Sequence, residues 1–169
     1  QPWQVFIVCG IYGFYYKDSG IRKVKTVFLE LPRKNGKSQL ITALAIFHLI
    51  FEKDSQVVIS ANSREQAKLV DFKKCKDYCT QLDGEKKLLK QYYNSIKFSN
   101  NELIVTASDA KRLDGLNASL AIVDELHEAK NADMYNVLKS SQGSRKNPLL
   151  IAITTAGFDS ESFCFSLVE

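Results

Sequence analysis

The sequence predicts an α/β protein with three layers built around a mainly parallel central sheet. Three observations lead there. Four short runs, residues 24–31, 56–61, 119–126 and 148–157, are apolar over most of their length, the pattern of strands buried on both faces. Between them lie stretches whose apolar residues recur at helical spacing, and strands alternating with helices indicate a parallel sheet. The first strand also runs into a turn, Asn35-Gly36-Lys37-Ser38, that opens a long apolar helix.

Residues 24–31 are rich in β-branched and apolar side chains and end at Pro32, which cannot continue a hydrogen-bonded ladder. Residues 37–52 follow as a helix, because Leu40, Ile41, Leu44, Ala45 and His48 recur on one side of it. The run QVVISA at 56–61 is a second short buried strand. Ser63 stands where it can cap a helix over 64–82, in which Ala67, Val70, Cys75 and Tyr78 share one side. Gly84 lies in the loop beyond. The segments SIKFS and ELIVTAS alternate around Asn100-Asn101, which predicts an antiparallel hairpin. Residues 119–126 and 148–157 are the third and fourth buried strands, with a short helix over 132–140 between them. No repeat, low-complexity tract or linker divides the chain, so residues 1–169 read as one domain.

At 169 residues and 45% hydrophobic, the chain can bury one sizeable core and is short for two. No apolar run approaches the roughly 18 residues a spanning helix needs, so no membrane role is expected. The opening WQVFIVCGIYGFYY is interrupted by Gly10 and Gly13 and has no basic leader, unlike a signal peptide. A soluble intracellular protein is the expectation. Cys9, Cys75, Cys79 and Cys164 have no partners at zinc spacing and read as buried thiols. A net charge of +4 is compatible with a polyanion such as DNA without demanding one. The only methionine is Met134, and the last residues, SFCFSLVE, look like a helix just begun; both suggest a domain cut from a longer chain.

The turn at 35–38 has the chemistry of a phosphate site. A loop between a buried strand and a helix presents unpaired backbone N–H groups at the positive end of the helix. Gly36 lets phosphate oxygens approach, Lys37 can reach the β and γ phosphates, and Ser38 can ligate Mg²⁺. Leu31 departs from the pattern G-x-x-x-x-G-K-[ST], whose first glycine belongs there. Gly-Lys-Ser also occurs by chance, so a plain strand–turn–helix accounts for it when it stands alone. A second half-motif changes the balance. Asp124 and Glu125 stand at the carboxyl end of the third apolar strand, where ligands of open parallel sheets sit. Asp124 is suited to hold Mg²⁺, and Glu125 to polarise an attacking water. Two half-motifs in the right order, each directly after a buried strand, point to a nucleoside triphosphatase that uses ATP and Mg²⁺.

Other residues gain meaning from that pair. Thr154 and Thr155, in the run TTAG that ends the fourth strand, are placed to sense the γ-phosphate. Arg33 stands in the loop and can reach the transferred phosphoryl group in cis, or simply face solvent. Arg112, in SDAKRLDGLN, is a candidate to act on a neighbouring subunit's nucleotide. Trp3 and Gln4 offer ring stacking and amide hydrogen bonds to adenine, with core packing the plain alternative for Trp3. Lys34 and Asn35 complete the loop. Lys73, Lys74 and Lys76, then Lys86, Lys87 and Lys90, either touch DNA phosphates or form solvated helix faces.

The stretches PWQVF, LPRKNGKS, ANSREQA, DGLNASLAIVDELHEA and ITTAG follow one another over nearly the whole chain. In that set the sequence resembles the ATPase domain of the large terminase subunit of tailed bacteriophages. The resemblance implies a RecA-like P-loop NTPase core of the additional-strand, catalytic-glutamate type. It implies a homo-oligomeric ring that docks on a viral portal protein, works with a small terminase subunit and drives double-stranded DNA into a procapsid. The setting would be the cytoplasm of the bacterial host. By motif, Lys37 and Ser38 match the nucleotide-binding loop, Arg33 its arginine, Asp124 the metal-binding acid, Glu125 the catalytic glutamate and Thr154-Thr155 the coupling motif. It also implies a metal-dependent nuclease domain that residues 158–169 do not supply. The chain is therefore expected to hydrolyse ATP weakly at most and not to cut DNA. Two other readings stay open. Asp124-Glu125-Leu126-His127 is close to the D-E-x-H box of helicases, with His127 a helix-start residue able to contact the coupling region. A fold that binds nucleotide without hydrolysing it, as an assembly module, is the other.

Overall fold

The computed structural model of the chain describes residues 1–61, 72–85, 87–107, 115–129, 131–155, 163–164 and 167. In chain order the elements are α1 (Pro2–Tyr12), β1 (Thr26–Glu30), α2 (Lys37–Phe51), β2 (Gln56–Ala61), α3 (Lys73–Leu82), β3 (Leu89–Gln91), β4 (Ser95–Phe98), β5 (Asn101–Ala107), β6 (Leu120–Asp124), a 3-10 turn (Leu126–Glu128), α4 (Asp133–Ser141) and β7 (Leu149–Thr154). The seven strands form one sheet in the order β1-β7-β6-β2-β5-β4-β3. The first five in that order pair in parallel, and β4 and β3 add on antiparallel at one edge. Ala152 of β7 lies opposite Phe28 of β1 on one side and Val123 of β6 on the other. Strand β7, which follows β6 in the sequence, is thus inserted between the strand that feeds the Gly-Lys-Ser loop and the strand that ends in the acidic pair. That is the additional-strand arrangement.

Side-chain alternation explains why the central strands are apolar throughout. In β7, Leu149, Ile151 and Ile153 join one core while Leu150 and Ala152 join the other. Leu120 and Ile122 of β6 oppose Ala121 and Val123 in the same way, and Val57 and Ile59 of β2 oppose Val58. Leu40, Ile41 and Leu44 of α2, with Cys75 and Cys79 of α3, cover the first face; Met134, Tyr135 and Leu138 of α4 cover the second. With neither face wet, successive residues need not alternate in polarity. Each such Leu or Ile contributes about 1.5–3 kcal/mol by leaving water, so these strands make a stiff base for the loops at their carboxyl ends.

The structure corrects the sequence in several places. The hairpin turn is Ser99-Asn100, one residue earlier than Asn100-Asn101: Phe98 pairs with Asn101, and the positive φ of 54° falls on Ser99. Asn101 is drawn into the sheet because its amide is buried and satisfied. It accepts the Ser55 N–H at 2.7 Å and donates to the Leu49 and Glu52 carbonyls at 2.8 and 2.7 Å. Cys9 is exposed on α1, whereas Cys75, Cys79 and Cys164 are buried thiols. The expected helix over 64–82 is described only as α3; Ser63, Ala67 and Val70 lie outside the described residues. Among the described residues no helix is long and apolar enough to cross a membrane.

Candidate active site

The site is built at the carboxyl ends of β1, β6 and β7. After β1, the Leu31 N–H donates to the Thr154 carbonyl at 3.0 Å, which pins the start of the loop to β7. The backbone then turns through Lys34 and Gly36, with φ of 66° and 79°. Glycine takes that left-handed conformation freely, and a residue with a side chain does so under strain. Gly36 is the N-cap of α2, so the unpaired amides of the first helical turn open onto the loop. A side-chain carbon at Gly36 would sit 3.6 Å from Gln4 Nε2 and 3.7 Å from Gln39 Oε1. Gln4, on α1, therefore lies beside the loop.

The acidic pair meets this loop through Lys37. The Lys37 ammonium is 3.0 Å from Asp124 Oδ1 and pairs with Glu125 Oε1. Asp124 is 3% exposed, and its Oδ1 also accepts the Glu125 N–H at 2.9 Å. Glu125 has φ 52°, a left-handed conformation that costs a non-glycine residue on the order of 1–3 kcal/mol. The strain has a geometric result: the chain breaks sharply out of β6, and adjacent carboxylates both reach one ammonium. Successive residues of an unbroken strand would point to opposite faces.

A cavity of about 460 Å³ opens in front of these groups, within the usual size range of small-ligand sites. Arg33, Lys34, Gly36, Lys37 and Ser38 line it from the loop, and Glu125 and Thr155 from the opposite strands. Asp124 lies behind Lys37, and Thr154 is fully buried below. Asn35 is exposed and Trp3 packs against the core with its indole N–H on Gln1 Oε1 at 2.6 Å; neither is among the lining residues. Arg112 lies outside the described residues, as do Ala156 and Gly157 of the TTAG run.

Pro32, Gln39, Lys74, His127 and Glu128 also line the cavity. Sequence reasoning offers Lys74 only a contact with DNA and His127 only a contact with the coupling region, and gives the other three no role in the site. Lys74 reads locally as one of a basic run, and only the packing of α3 through Cys75 and Cys79 turns it to the cavity mouth. His127 had a signal, its spacing from Asp124 and Glu125. Its Nδ1 is 2.8 Å from Thr154 Oγ1 and 3.4 Å from Glu125 Oε2, and its backbone N–H donates to Thr154 Oγ1 at 3.2 Å.

A family model described as the terminase large subunit, ATPase domain, matches residues 2–169. The chain belongs to that family. It is an ATPase domain of the terminase type, which decides against the helicase reading of the Asp-Glu-Leu-His box. It is 31% identical over 141 residues to the terminase large subunit of Enterobacteria phage HK97, covering 75% of this chain and 27% of that protein. The crystal structure of the HK97 bacteriophage large terminase superposes with a TM-score of 0.83 at 25% identity, over 99% of this chain and 35% of that one. The Thermus phage P74-26 large terminase ATPase domain shares the fold, with a TM-score of 0.65 at 19% identity, over 89% of this chain and 69% of that one. The terminase chain thus spans about a third of the HK97 structure's length.

Proposed function

We propose that the cavity binds the triphosphate of ATP, that Glu125 activates the attacking water, and that the domain powers movement of double-stranded DNA into a procapsid. The convergence of Lys37 with Asp124 and Glu125 carries this reading. Lys37 neutralises two carboxylates that would otherwise repel each other. The β and γ phosphates offer that ammonium a stronger set of acceptors, and its departure leaves Glu125 Oε1 able to take a proton from water. The residues fit Mg²⁺, which usually takes one or two protein oxygens and fills its remaining positions with phosphate and water. The Ser38 hydroxyl and the Asp124 carboxylate are donors of that kind. Bound there, Mg²⁺ would neutralise charge on the β and γ oxygens.

The remaining roles follow by position. Backbone amides of Lys34, Asn35 and Gly36 cradle phosphate, Gln4 reads the base beside Trp3, and Thr154-Thr155 couple phosphate loss to movement. Arg33 stabilises the transferred phosphoryl group in cis, or Arg112 does so from a neighbouring subunit. Residues 1–169 act as a single domain in a homo-oligomeric ring, working with a portal protein and a small terminase subunit in the host cytoplasm. The test is Glu125→Gln: ATP affinity is expected to stay near normal while turnover falls at least about 100-fold. Unaltered turnover would remove Glu125 from its role.

A further inference from the structure

Thr154 is fully buried and three contacts surround its hydroxyl. It donates to the Thr155 carbonyl at 2.9 Å, and it faces both the His127 backbone N–H at 3.2 Å and His127 Nδ1 at 2.8 Å. A hydroxyl has one hydrogen and two acceptor positions. Where that hydrogen goes to the Thr155 carbonyl, both contacts from His127 are donations and the ring carries its proton on Nδ1. The same tautomer suits a second contact. Glu125 Oε2 lies 3.4 Å from that nitrogen, and a bare ring lone pair would repel the carboxylate. One imidazole nitrogen thus lies 2.8 Å from the hydroxyl at the end of β7 and 3.4 Å from the acid that follows β6.

We propose that His127 is a positioning residue: its Nδ1–H aims the Glu125 carboxylate and ties it to Thr154, so that the base and the coupling strand move as one unit. The inference rests on Glu125 being the base. Lys37 holds Glu125 by Oε1 and His127 by Oε2, from two sides. When the ammonium turns to phosphate, the imidazole contact persists and keeps a carboxylate on a strained backbone from swinging away. In the other direction, a shift of Thr154 after phosphate release drags the imidazole and disarms Glu125. The buried position of Thr154 suits this role, since it acts through His127 rather than by touching phosphate.

The experiment is single-turnover ATP hydrolysis with parallel equilibrium ATP binding, on the complete chain and on Glu125→Gln, His127→Leu, His127→Asn, Thr154→Val and the His127→Leu/Thr154→Val pair. Asparagine keeps an N–H donor near the position of Nδ1, and leucine fills the space without one. His127→Leu is expected to lower the hydrolysis rate about 10- to 100-fold with ATP affinity nearly unchanged, and His127→Asn to restore most of it. The double variant should be no slower than the worse single one, as expected for residues acting through one contact. Equal losses in the leucine and asparagine variants, or none in either, would overturn the proposal. If Glu125→Gln keeps its turnover, the base assignment fails first, and that outcome is separable from the rest. Should His127→Leu not fold, His127→Gln, which moves the donor to the Nε2 position, makes the same comparison with His127→Asn.

Discussion

Among the described residues two cations, Arg22 and Lys37, are buried, and they are buried for different ends. Arg22 is 1% exposed: its Nε donates to the Val24 carbonyl at 3.0 Å, and one terminal nitrogen donates to the carbonyls of Asn147 and Pro148 at 2.9 and 3.1 Å. Its guanidinium lies 5.5 Å from the centre of the Tyr12 ring, close to Glu52 and the Tyr12–His48 pair. Lys37 is 9% exposed, but its partners are two carboxylates at the edge of a cavity. Backbone carbonyls cannot leave, so Arg22 is a staple between the segment ahead of β1 and the segment ahead of β7. Carboxylates on a strained turn can be traded for phosphate, so Lys37 is a switchable contact. Burial of charge alone does not mark a functional site. What marks it is a buried charge whose partners are exchangeable and face open space.

The comparison makes predictions of decreasing size. Lys37→Ala should cost the most, cutting ATP turnover at least about 1,000-fold and weakening ATP binding, as measured by hydrolysis and titration. A variant retaining a tenth of normal turnover would make Lys37 a structural cation like Arg22. Arg22→Met should do the reverse. Orphaning three carbonyl contacts is expected to remove about 3 kcal/mol of stability in denaturant unfolding while leaving ATP affinity unchanged. A loss of affinity without a loss of stability would erase the distinction.

A smaller effect concerns pH. Burial, with the nearby charge of Arg22, pushes the His48 ring from its ordinary 6.5 down to about 3. The folded state therefore resists protonating a ring that the unfolded chain protonates readily. Between about pH 6.5 and pH 3 the unfolded state binds the extra proton, so stability rises with pH and falls on acidification. At about pH 5 the loss approaches 2 kcal/mol, readable as a drop in Tm, and His48→Gln should flatten that part of the profile. An unchanged slope in the variant would move the acid sensitivity to other groups. Least of all, Gly36→Ala should cost about 1 kcal/mol through its φ of 79°, appearing mainly as roughly fivefold weaker ATP binding. Full retention of affinity would mean that the loop's shape does not matter to the phosphate.

How far the sequence carried depends on whether a feature is local. The buried strands, the Gly-Lys-Ser turn and the Asp124-Glu125 pair are each contained in a few consecutive residues, and each was legible. The insertion of β7 between β1 and β6 depends on long-range pairing, and it came through the family resemblance rather than from periodicity. Sequence reasoning assigned no element to α1, whose PWQVFIVCGIY run has no polar stripe to reveal its period. The hairpin register slipped by one residue because the buried amide of Asn101 serves α2 and β2, a tertiary demand that outweighs the turn preference of Asn-Asn. Lys74 was hidden in a basic run, and the double contact of His127 required β6 and β7 to be placed side by side.

The central claim is that the loop around Gly36 and the acidic pair serve one triphosphate. A crystal structure with a non-hydrolysable ATP analogue and Mg²⁺ tests it most directly. The account predicts the phosphates on the amides of residues 34–38, the Lys37 ammonium moved onto a phosphate oxygen, and Asp124 turned to the metal. A nucleotide bound elsewhere, with Lys37 still paired to Asp124 and Glu125, would contradict it.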